Sequence, residues 1–571
     1  MPRPSVKVDG SDLAAPAEGL LIGLTVDSNL HLPDMFVLTF IDHEHDALQK
    51  AHLKVGSKVA VSADGWTSDD TKPLITGEVT AIEAEFDDLI THTVVRGYDT
   101  SHRLHRGKRT ETYRNVQDSD IARKVASKAG LDIGTIDDSK TTLEHVSQVN
   151  QSDWEFLKAR SREINFEMLV EDGKFHFRRP VEASTGPDRP SQLSQTSRQL
   201  VFGYDLLSFR PRVSAVAQVQ NVKVRSWDPK AKQVVIGSAP AATSQVQLPS
   251  TPGSLAAPFG DATHVIVDRP LTGQDEADAV ASAGAELLGS AAFEAEGIAL
   301  GNPALRAGVA VNISGVSDDF AGKYTISHTR HVFDEDGYVT HFTVSGRQER
   351  SLLGLASGGA SNGSASAGGA PIDGVVVGQV TDNNDPDSYG RVKVKLPWLS
   401  DSYESNWCRV CQLGAGPDSG AVWLPEVNDE VLVAFEFGDV RRPYVIGGLY
   451  NGQDKPKLGD GLFDSGKVKR RGFVSRSGHK FVFFDDGAKS GLALLSSDGN
   501  LKVSLNQTNG EIHIHCQGKI TVDTDSGDIT VKGGANVTVQ AQGNLSLKGQ
   551  AGVKIESSGM VELSGQMIKL N

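Results

Sequence analysis

A pair of cysteines is the first group of residues in this 571-residue chain whose type and spacing could do chemistry. Cys408 and Cys411 lie in the segment NWCRVC, with the CxxC spacing used by zinc and redox sites. The segment reads as a β-strand, however, and residues three apart in a strand lie on opposite faces. Cys516 stands alone, so three cysteines do not make a disulfide framework. We therefore predict neither a zinc site nor a redox site.

Histidines and acids form two further candidate sites. The run from Asp42 to Asp46, DHEHD, has metal-ligand residue types but follows a predicted strand and is typical of a polar turn. His513 and His515 lie on the strand face opposite Ile512 and Ile514, where we expect them to meet solvent. If three copies of the chain meet at this level, their histidines could still approach one another. We predict no metal site, no bound cofactor and no catalytic residues.

Charge argues against nucleic acid as a partner. The chain has 57 Lys and Arg against 72 Asp and Glu, a formal net charge of −15, whereas nucleic-acid affinity comes mainly from basic side chains that neutralise phosphates. The basic run from Lys467 to Arg471 is expected to be a solvated neck. Acidic residues outnumber the basic ones in the segment 372–452. Its basic residues are Arg391, Lys393, Lys395, Arg409, Arg441 and Arg442.

The C-terminal region repeats. From Ile512 onward, apolar residues occur in pairs spaced i and i+2, and successive pairs start seven to nine residues apart, with polar residues and glycines between them. The pairs are Ile512/Ile514, Ile520/Val522, Ile529/Val531, Val537/Val539, Leu545/Leu547, Val553/Ile555, Val561/Leu563 and Ile568/Leu570. Each unit reads as a short strand followed by a corner, and a fixed short period of this kind predicts a β-solenoid.

One such chain cannot build its own core. Each strand offers two inward apolar residues, its edges lack partners, and residues 501–571 include no Phe, Tyr or Trp. Three chains wound around one axis solve both difficulties, and a single-chain β-helix is the alternative. With strands spaced about 4.8 Å apart, the needle would be roughly 40 Å long. The predicted trimer core is Ile520, Val522, Ile529, Val531, Val537, Val539, Leu545, Leu547, Val553 and Ile555.

The end of the needle is predicted to bind a separate tip protein. The last two pairs are followed only by Asn571, without a polar cap. Three ends meeting on the axis would expose apolar side chains and unpaired strand groups, which solenoids normally cover. The predicted contact residues are Val561, Leu563, Ile568, Leu570 and Asn571.

The segments upstream divide into several domains. Leu355 to Pro371 contains almost only Ala, Ser, Gly and Asn, as flexible linkers do. Residues 372–452 contain about five strand-like runs, which suits a small OB-type barrel. The predicted domains are a first hub β-barrel (1–100), an α+β insert (101–204), a second hub β-barrel with a helix (205–354), the linker (355–371), the OB barrel (372–452), a neck (453–474) and an intertwined trimeric β-helix (475–571).

The hub is predicted to be a mainly β, duplicated structure around a helical insert. AGVAVNISGV in the second block parallels VGSKVAVSAD in the first, which indicates a diverged duplication. Ser119 is expected to cap a helix that ends at Gly130, and Ser152 with Glu155 forms a capping box. Residues 275–288 are predicted as a third, Ala-rich helix.

Particular motifs resemble the VgrG and phage baseplate-spike family. They are GQVTDNNDPDSYGRVKVKLPWL, LPEVNDEVLVAFEFGDVRRPYVIGGLYN and SRSGHKFVFFDD. The N-terminal NQSDWEFLKARSREINFEMLVEDGKFHF and GKYTISHTRHVF resemble the phage late-control D hub domain. The resemblance implies a homotrimer at the centre of a baseplate, in contact with baseplate proteins. It also implies an inner tube or tube-initiator protein at the hub, a PAAR-type tip protein at the C-terminal end, and six barrel units with quasi-sixfold symmetry.

The resemblance leaves three related alternatives. The short hub favours the spike of an extracellular contractile injection system, with a type VI secretion VgrG as the alternative. A spike with cell-wall hydrolase activity is disfavoured, because only about 20 residues separate Asn451 from Gly472, where some members carry a lysozyme. A trimeric surface adhesin would need an export signal, which MPRPSVKVDGSDL does not resemble. We expect no enzymatic activity, assembly in the cytoplasm without a signal peptide, and a final place in a phage-tail-like particle that is released or injected.

Overall fold

The structure, a computed structural model, describes residues 4–65, 71–86, 90–271, 273–348, 372, 374–459, 461–487 and 489–570. These residues form two compact units, Met1–Asn451 and Gly452–Asn571. Strands predominate in both units, so the predicted mainly β class with an α+β hub is confirmed. The predicted linker from Leu355 to Pro371 lies outside the described residues, as does Asn571.

The first hub block is an antiparallel sheet with two short helices. Its strands alternate between buried and exposed residues, as β4 shows with Phe36, Leu38 and Phe40 all buried. The elements are β1 (Pro4–Val8), β2 (Ser11–Asp12), α1 (Ala15–Glu18), β3 (Leu21–Asn29), β4 (Met35–Ile41), α2 (Ala47–Ala51), β5 (Lys58–Ala63), β6 (Lys72–Phe86) and β7 (Thr91–Asp99).

The insert packs two helices against short strands. The aromatic residues Trp154, Phe156, Phe175 and Phe177 lie in its core. The elements are β8 (Arg109–Val116), α3 (Asp118–Lys128), β9 (Asp132–Ile136), β10 (Leu143–Gln151), α4 (Asp153–Glu163), β11 (Glu167–Glu171) and β12 (Lys174–Arg178).

The two helix caps predicted in the insert have different outcomes. The capping box of α4 is confirmed, since Glu155 N donates to Ser152 Oγ at 3.2 Å and Ser152 N donates to Glu155 Oε2 at 2.9 Å. The predicted cap of α3 by Ser119 is wrong. That helix starts at Asp118, after Gln117, which is two residues earlier than a cap at Ser119 would place it. Asp118 forms a buried ion pair with Arg160, and Ser119 lies within the first turn.

The second hub block contains the predicted Ala-rich helix, here α6. It packs so closely on β16 that a Cβ on Gly237 would lie 2.2 Å from the carbonyl oxygen of Ala277. No described helix is long and apolar enough to cross a membrane. The elements are β13 (Gln199–Val201), β14 (Leu206–Val213), β15 (Asn221–Asp228), β16 (Gln233–Pro240), β17 (Val246–Gln247), α5 (Pro252–Ala256), β18 (Thr263–Ile266), α6 (Gln274–Ser290), β19 (Phe293–Leu300), β20 (Ala310–Ser314), β21 (Gly322–Thr325), β22 (His328–Asp334) and β23 (Gly337–Val344).

One continuous sheet joins the two hub blocks. The sheet has eleven strands in the order β14-β19-β23-β22-β3-β4-β7-β6-β5-β1-β2. The blocks meet where β22 pairs antiparallel with β3. The order of strand pairing also repeats between the blocks. The first block has the order β3-β4-β7-β6-β5. The second block has β14-β19-β23-β22, and β21, which precedes β22 in the chain, pairs with β20 in the position of β5. This repetition supports the predicted duplication.

The segment after the linker position forms a five-stranded sheet in the order β25-β24-β29-β30-β26, as predicted for an OB barrel. A bridge between Val392 and Cys408 links its two ends. Cys408 is buried and Cys411 is exposed, so the two cysteines lie on opposite faces as expected. The elements are β24 (Val375–Asp382), β25 (Lys393–Lys395), β26 (Arg409–Val410), β27 (Ala415–Gly416), β28 (Ser419–Gly420), β29 (Glu430–Phe435) and β30 (Pro443–Gly448).

The second unit starts with an antiparallel meander and not with the solenoid repeat. β33 to β37 pair in chain order, so the predicted boundary between neck and needle at residue 475 falls inside one sheet. From residue 516 to 570 the described chain forms neither helix nor strand by itself. The elements are β31 (Phe463–Asp464), β32 (Lys467–Val468), β33 (Arg470–Val474), β34 (Lys480–Asp486), β35 (Lys489–Leu495), β36 (Lys502–Asn506) and β37 (Glu511–His515).

Candidate assembly surfaces

The first candidate surface is the apolar stripe of the C-terminal repeat. Every predicted core and tip side chain that the structure describes is more than half exposed in a single chain, from 51% at Val561 to 87% at Leu570. Within each pair the first residue is less exposed than the second. The residues are Ile520, Val522, Ile529, Val531, Val537, Val539, Leu545, Leu547, Val553, Ile555, Val561, Leu563, Ile568 and Leu570.

This stripe is a candidate surface for association. Burying a Val, Leu or Ile side chain fully contributes about 1.5–3 kcal/mol, and contiguous exposed apolar patches mark interaction sites. The described residues 516–570 also lack strand pairing within the chain, and unpaired strand-forming segments are templates for pairing with other chains. Both properties are the ones expected of an assembly surface.

The two histidines of β37 remain at the surface. His513 and His515 are exposed, and their ring centroids lie 5.9 Å apart. In the described part of the chain, no three His, Cys, Asp or Glu residues are grouped so that they could hold a metal ion.

The DHEHD run is a turn organised by Asp42. Its carboxylate accepts hydrogen bonds from the main-chain N–H groups of Asp46 (2.9 Å) and Ala47 (3.0 Å) and from Thr93 Oγ1 (2.7 Å). Burial opposes ionisation of Asp42, but these hydrogen bonds outweigh it and lower its pKa. Lys50 forms ion pairs with Glu44 at 2.9 Å and Asp46 at 2.8 Å. The acids of the run are thus used within the turn, as its polar pattern predicted.

Two buried carboxyl groups escaped the sequence analysis. Asp34 N donates to Asp99 Oδ2 at 2.7 Å, and Ser101 N donates to Asp99 Oδ1 at 2.6 Å. Burial raises the pKa of Asp99 to about 6, and burial together with the charge of Asp99 raises the pKa of Asp34 well above its usual value. Such shifts occur in catalytic acids. Here both carboxyl groups are buried and accept hydrogen bonds from main-chain amides, so they hold loops in place.

A buried chain of charges joins the insert to the OB barrel and was also missed. Arg160 on α4 forms a bidentate pair with Asp118, at 2.6 and 2.8 Å, and also contacts Glu163. Glu163 Oε1 lies 3.5 Å from Arg441 Nη2, which lies 2.7 Å from Asp439 Oδ2. Burial alone would raise the pKa of Glu163, but Arg160 and Arg441 lower it. The five side chains thus fix the orientation of the two domains.

A groove of about 1200 Å³ lies between the second hub block and the OB barrel. Trp227, Tyr389, Trp407 and Tyr444 are among its lining residues. Arg391, another lining residue, pairs with Asp385 and Asp387 at 2.6 Å each, and its hydrogen bonds hold the pKa of Asp385 well below the usual range. Two carboxylates therefore neutralise Arg391, while Lys230, Arg409 and Arg442 also line the groove.

The basic run in the second unit is paired with acids. Lys469 lies 2.7 Å from Asp464 and 3.7 Å from Asp486, and Arg471 forms an ion pair with Asp485. Hydrogen bonding to Asp464 raises the pKa of Lys469. These exposed pairs agree with a solvated neck.

Comparisons with known proteins agree with this architecture. The model of the Alg8 N-terminal domain matches residues 5–335, more than half of the chain, and the model of the Type VI secretion system/phage-baseplate injector OB domain matches residues 376–450. The chain is 39% identical over 87 residues to the type VI secretion system spike protein VgrG1c of Pseudomonas aeruginosa, which covers 14% of this chain and 12% of that protein. It is 30% identical over 157 residues to VgrG3 of Vibrio cholerae, 27% of this chain and 15% of that protein.

The fold similarity extends much further than the sequence similarity. A solved structure of the Francisella PdpA-VgrG complex, in its half-lidded form, has a similar fold. The match covers 90% of this chain and 88% of that chain, with a TM-score of 0.52 and 10% identity. At that identity the match concerns the fold alone. The chain spans less than a sixth of the length of the two curated relatives. The resemblance to the VgrG and baseplate-spike proteins is nevertheless confirmed.

Proposed function

This chain belongs to the family of the Alg8 N-terminal domain, and from that premise we propose that it is the trimeric central hub and spike of a contractile injection system baseplate. The injector OB domain behind the hub and the VgrG-like fold support this role. The observation that carries the proposal is the apolar stripe of residues 520–570, which is regular, more than half exposed and without strand pairing inside one chain.

The proposed mechanism of the spike is mechanical. Three chains wind together so that each layer of the needle contributes apolar side chains to the axis and leaves no lateral edge unpaired. Such a prism resists buckling when a contracting sheath drives it into an envelope. The hub end holds the inner tube or a tube-initiator protein and the surrounding baseplate proteins, and the C-terminal end holds a PAAR-type tip protein.

The setting we favour is an extracellular contractile injection system. The chain would assemble in the cytoplasm and end in a phage-tail-like particle that is released or injected. A type VI secretion VgrG is the second candidate, favoured by the similarity to the spike proteins of Pseudomonas aeruginosa and Vibrio cholerae.

We assign no catalytic step to the chain. The acids with raised pKa in the first hub block, Asp34 and Asp99, are buried and bound to main-chain amides. Arg391 in the groove is paired with Asp385 and Asp387. These observations support a mechanical role over cell-wall hydrolysis. Release of soluble fragments from purified peptidoglycan by the purified chain, above a buffer control, would contradict this assignment.

The proposed tip contact is tested by removing residues 565–571 from the chain. We expect the truncated protein to keep its trimeric mass but to lose a PAAR-type partner in a pull-down, because the partner would cover the apolar end formed by Ile568 and Leu570. The matched control is Lys569→Ala, which leaves both apolar residues in place. Retention of the partner by the truncated trimer at the level of the intact chain would contradict the tip assignment.

A further inference from the structure

The second hub block contains a module that the first block lacks. In the order of strand pairing, β3 and β4 of the first block correspond to β14 and β19 of the second. Residues 30–34 join β3 to β4, whereas residues 214–292 join β14 to β19 and include the three-stranded sheet β16-β15-β18 and the helix α6. The strand order that the two blocks share does not require these residues, which we call the side module.

One face of the sheet in the side module is covered by α6. Val222 and Val224 of β15 are buried, and Val224 packs against Val280 and Ala281 of the helix. Because successive side chains of a strand point to opposite faces, the residues between these valines lie on the face away from the helix. The helix thus supports the sheet from one side and leaves the other side open to a partner.

The face away from α6 carries exposed apolar side chains on all three strands or directly beside them. These side chains are between 44% and 55% exposed in a single chain. Contiguous exposed apolar patches mark interaction sites. The residues are Trp227, Val234, Ile236, Val265 and Val267.

Two cations lie in the middle of this face. Arg225 of the central strand lies opposite Ile236 of β16, and Lys223 lies opposite Val265 of β18. Both cations are exposed. Lys223, Arg225 and Trp227 therefore form a row along β15, and apolar side chains of the two edge strands flank the cations.

The cations of the side module have no acidic side chain as a partner among the residues that the structure describes. This holds for Lys223 and Arg225 on the face, and for Lys230 and Lys232 in the turn that follows β15. The basic run of the second unit differs, since Lys469 there pairs with two acids. The positive charges of the side module are thus available to a partner of opposite charge.

We propose that this face binds an extended acidic segment of another polypeptide. Residues two apart in an extended chain are separated by about 6.6–6.8 Å, which applies to Lys223 and Arg225 and equally to two acids at positions i and i+2 of such a segment. With these acids over the two cations, the side chain two positions further lies over Trp227, where an apolar residue fits. The segment recognised is therefore acid, acid, apolar, each two positions apart.

The apolar residues favour a polypeptide over other anionic partners. A nucleic acid would neutralise Lys223 and Arg225 with phosphates but would leave Ile236 and Val265 beside them without apolar contacts. A long polyanion or an anionic membrane would also meet the repulsion of a chain whose net charge is −15. A short segment senses mainly the charges within a Debye length, about 10 Å at 0.1 M salt. The local charge of the face therefore decides its binding.

Fluorescence anisotropy of a dye-labelled peptide with the full chain tests the proposal. The peptide carries two glutamates two positions apart and a phenylalanine two positions later, with serines between them. We expect saturable binding that Lys223→Ser with Arg225→Ser weakens about tenfold, within the range of two exposed ion pairs. The same peptide with lysines in place of the glutamates should not bind.

The matched control is the full chain with Lys54→Ser and Lys108→Ser. Both lysines are exposed in the hub and, within the described residues, lack an acidic partner, as Lys223 and Arg225 do. The control removes the same charge from other places on the surface. It should bind the acidic peptide as tightly as the unmodified chain.

The outcomes separate this inference from the proposed function, on which it does not depend. Absence of saturable binding, or equal binding by the double variant, overturns the inference. Binding of a single-stranded oligonucleotide or of phosphatidylserine vesicles that is as tight and as sensitive to the double variant shows a general attraction for anions and overturns it too. A double variant that alone loses the trimeric mass shows a contact between copies, which also overturns it. A monomeric chain that binds the peptide as expected supports the inference while it contradicts the proposed function.

Discussion

Truncating two leucines in the middle of the C-terminal repeat perturbs the proposed needle directly. Leu545 and Leu547 are 56% and 69% exposed in a single chain, so the other two chains would supply most of their burial. Replacing a well-buried leucine by alanine costs about 2–5 kcal/mol. The double substitution Leu545→Ala and Leu547→Ala therefore costs roughly 4–10 kcal/mol per chain, comparable with the whole stability of a typical domain, about 5–15 kcal/mol.

Light scattering and thermal unfolding measure the effect. We expect the double variant to lose its trimeric mass or to melt at a markedly lower temperature. Its melting temperature should also depend more strongly on protein concentration, since dissociation and unfolding are linked. Ser546→Ala is the matched control, because this residue lies between the two leucines on the opposite face of the predicted strand, and it should behave like the unmodified chain. A double variant that remained trimeric with unchanged melting would refute the placement of these leucines at the axis.

The remaining predictions concern the hub. Glu163→Gln removes the centre of the buried charge chain. Because Arg160 keeps Asp118 and Arg441 keeps Asp439, we expect a loss of about 1.5–3 kcal/mol in a denaturant titration, as for a hydrogen bond to a charged group; no loss would contradict the coupling of the insert to the OB barrel. His331 is buried, and burial lowers its pKa from 6.5 to about 3. Because the unfolded chain binds a proton at His331 that the folded chain does not, the contribution of His331 to stability falls by about 1.4 kcal/mol for each pH unit between 6.5 and about 3. His331→Asn should reduce the slope of stability against pH by this amount; equal slopes would contradict it. Ser152→Ala breaks the capping box of α4 and should cost about 1 kcal/mol, seen as a lower melting temperature.

Local signals in the sequence predicted local structure well. The spacing of Ser152 and Glu155 predicted a capping box because both hydrogen bonds join residues three apart. The same reasoning failed at Ser119, because a partner 42 residues away, Arg160, holds Asp118 at the start of the helix. A distant partner of this kind leaves no periodic trace in the sequence.

Long-range strand pairing was the other limit. The duplication was visible in the sequence, but the fusion of both blocks into one sheet depends on β22 meeting β3 some 300 residues away in the chain. The predicted boundary of the needle at residue 475 stays a prediction, and it falls between two strands that pair with each other, β33 and β34. β35 and β36 carry the same alternation of apolar residues as the repeat that follows, and only the tight turns between them show that they pair within one chain.

The resemblance to VgrG and baseplate-spike proteins added what the residues alone could not supply. The OB barrel and the hub were expected from the motifs they share with that family, and both are present. The trimer core and tip contacts stay predictions, because they concern surfaces that only an assembled particle buries.

The mass of the full chain in solution tests the central claim most directly. A trimeric hub and spike requires three times the chain mass of 60.9 kDa, constant over a wide range of protein concentration. The same chain with Val537→Asp and Val539→Asp would bury six unpaired carboxylates at the axis and should not keep that mass. A full chain that remains at 60.9 kDa, or an aspartate variant that stays trimeric, would contradict the account.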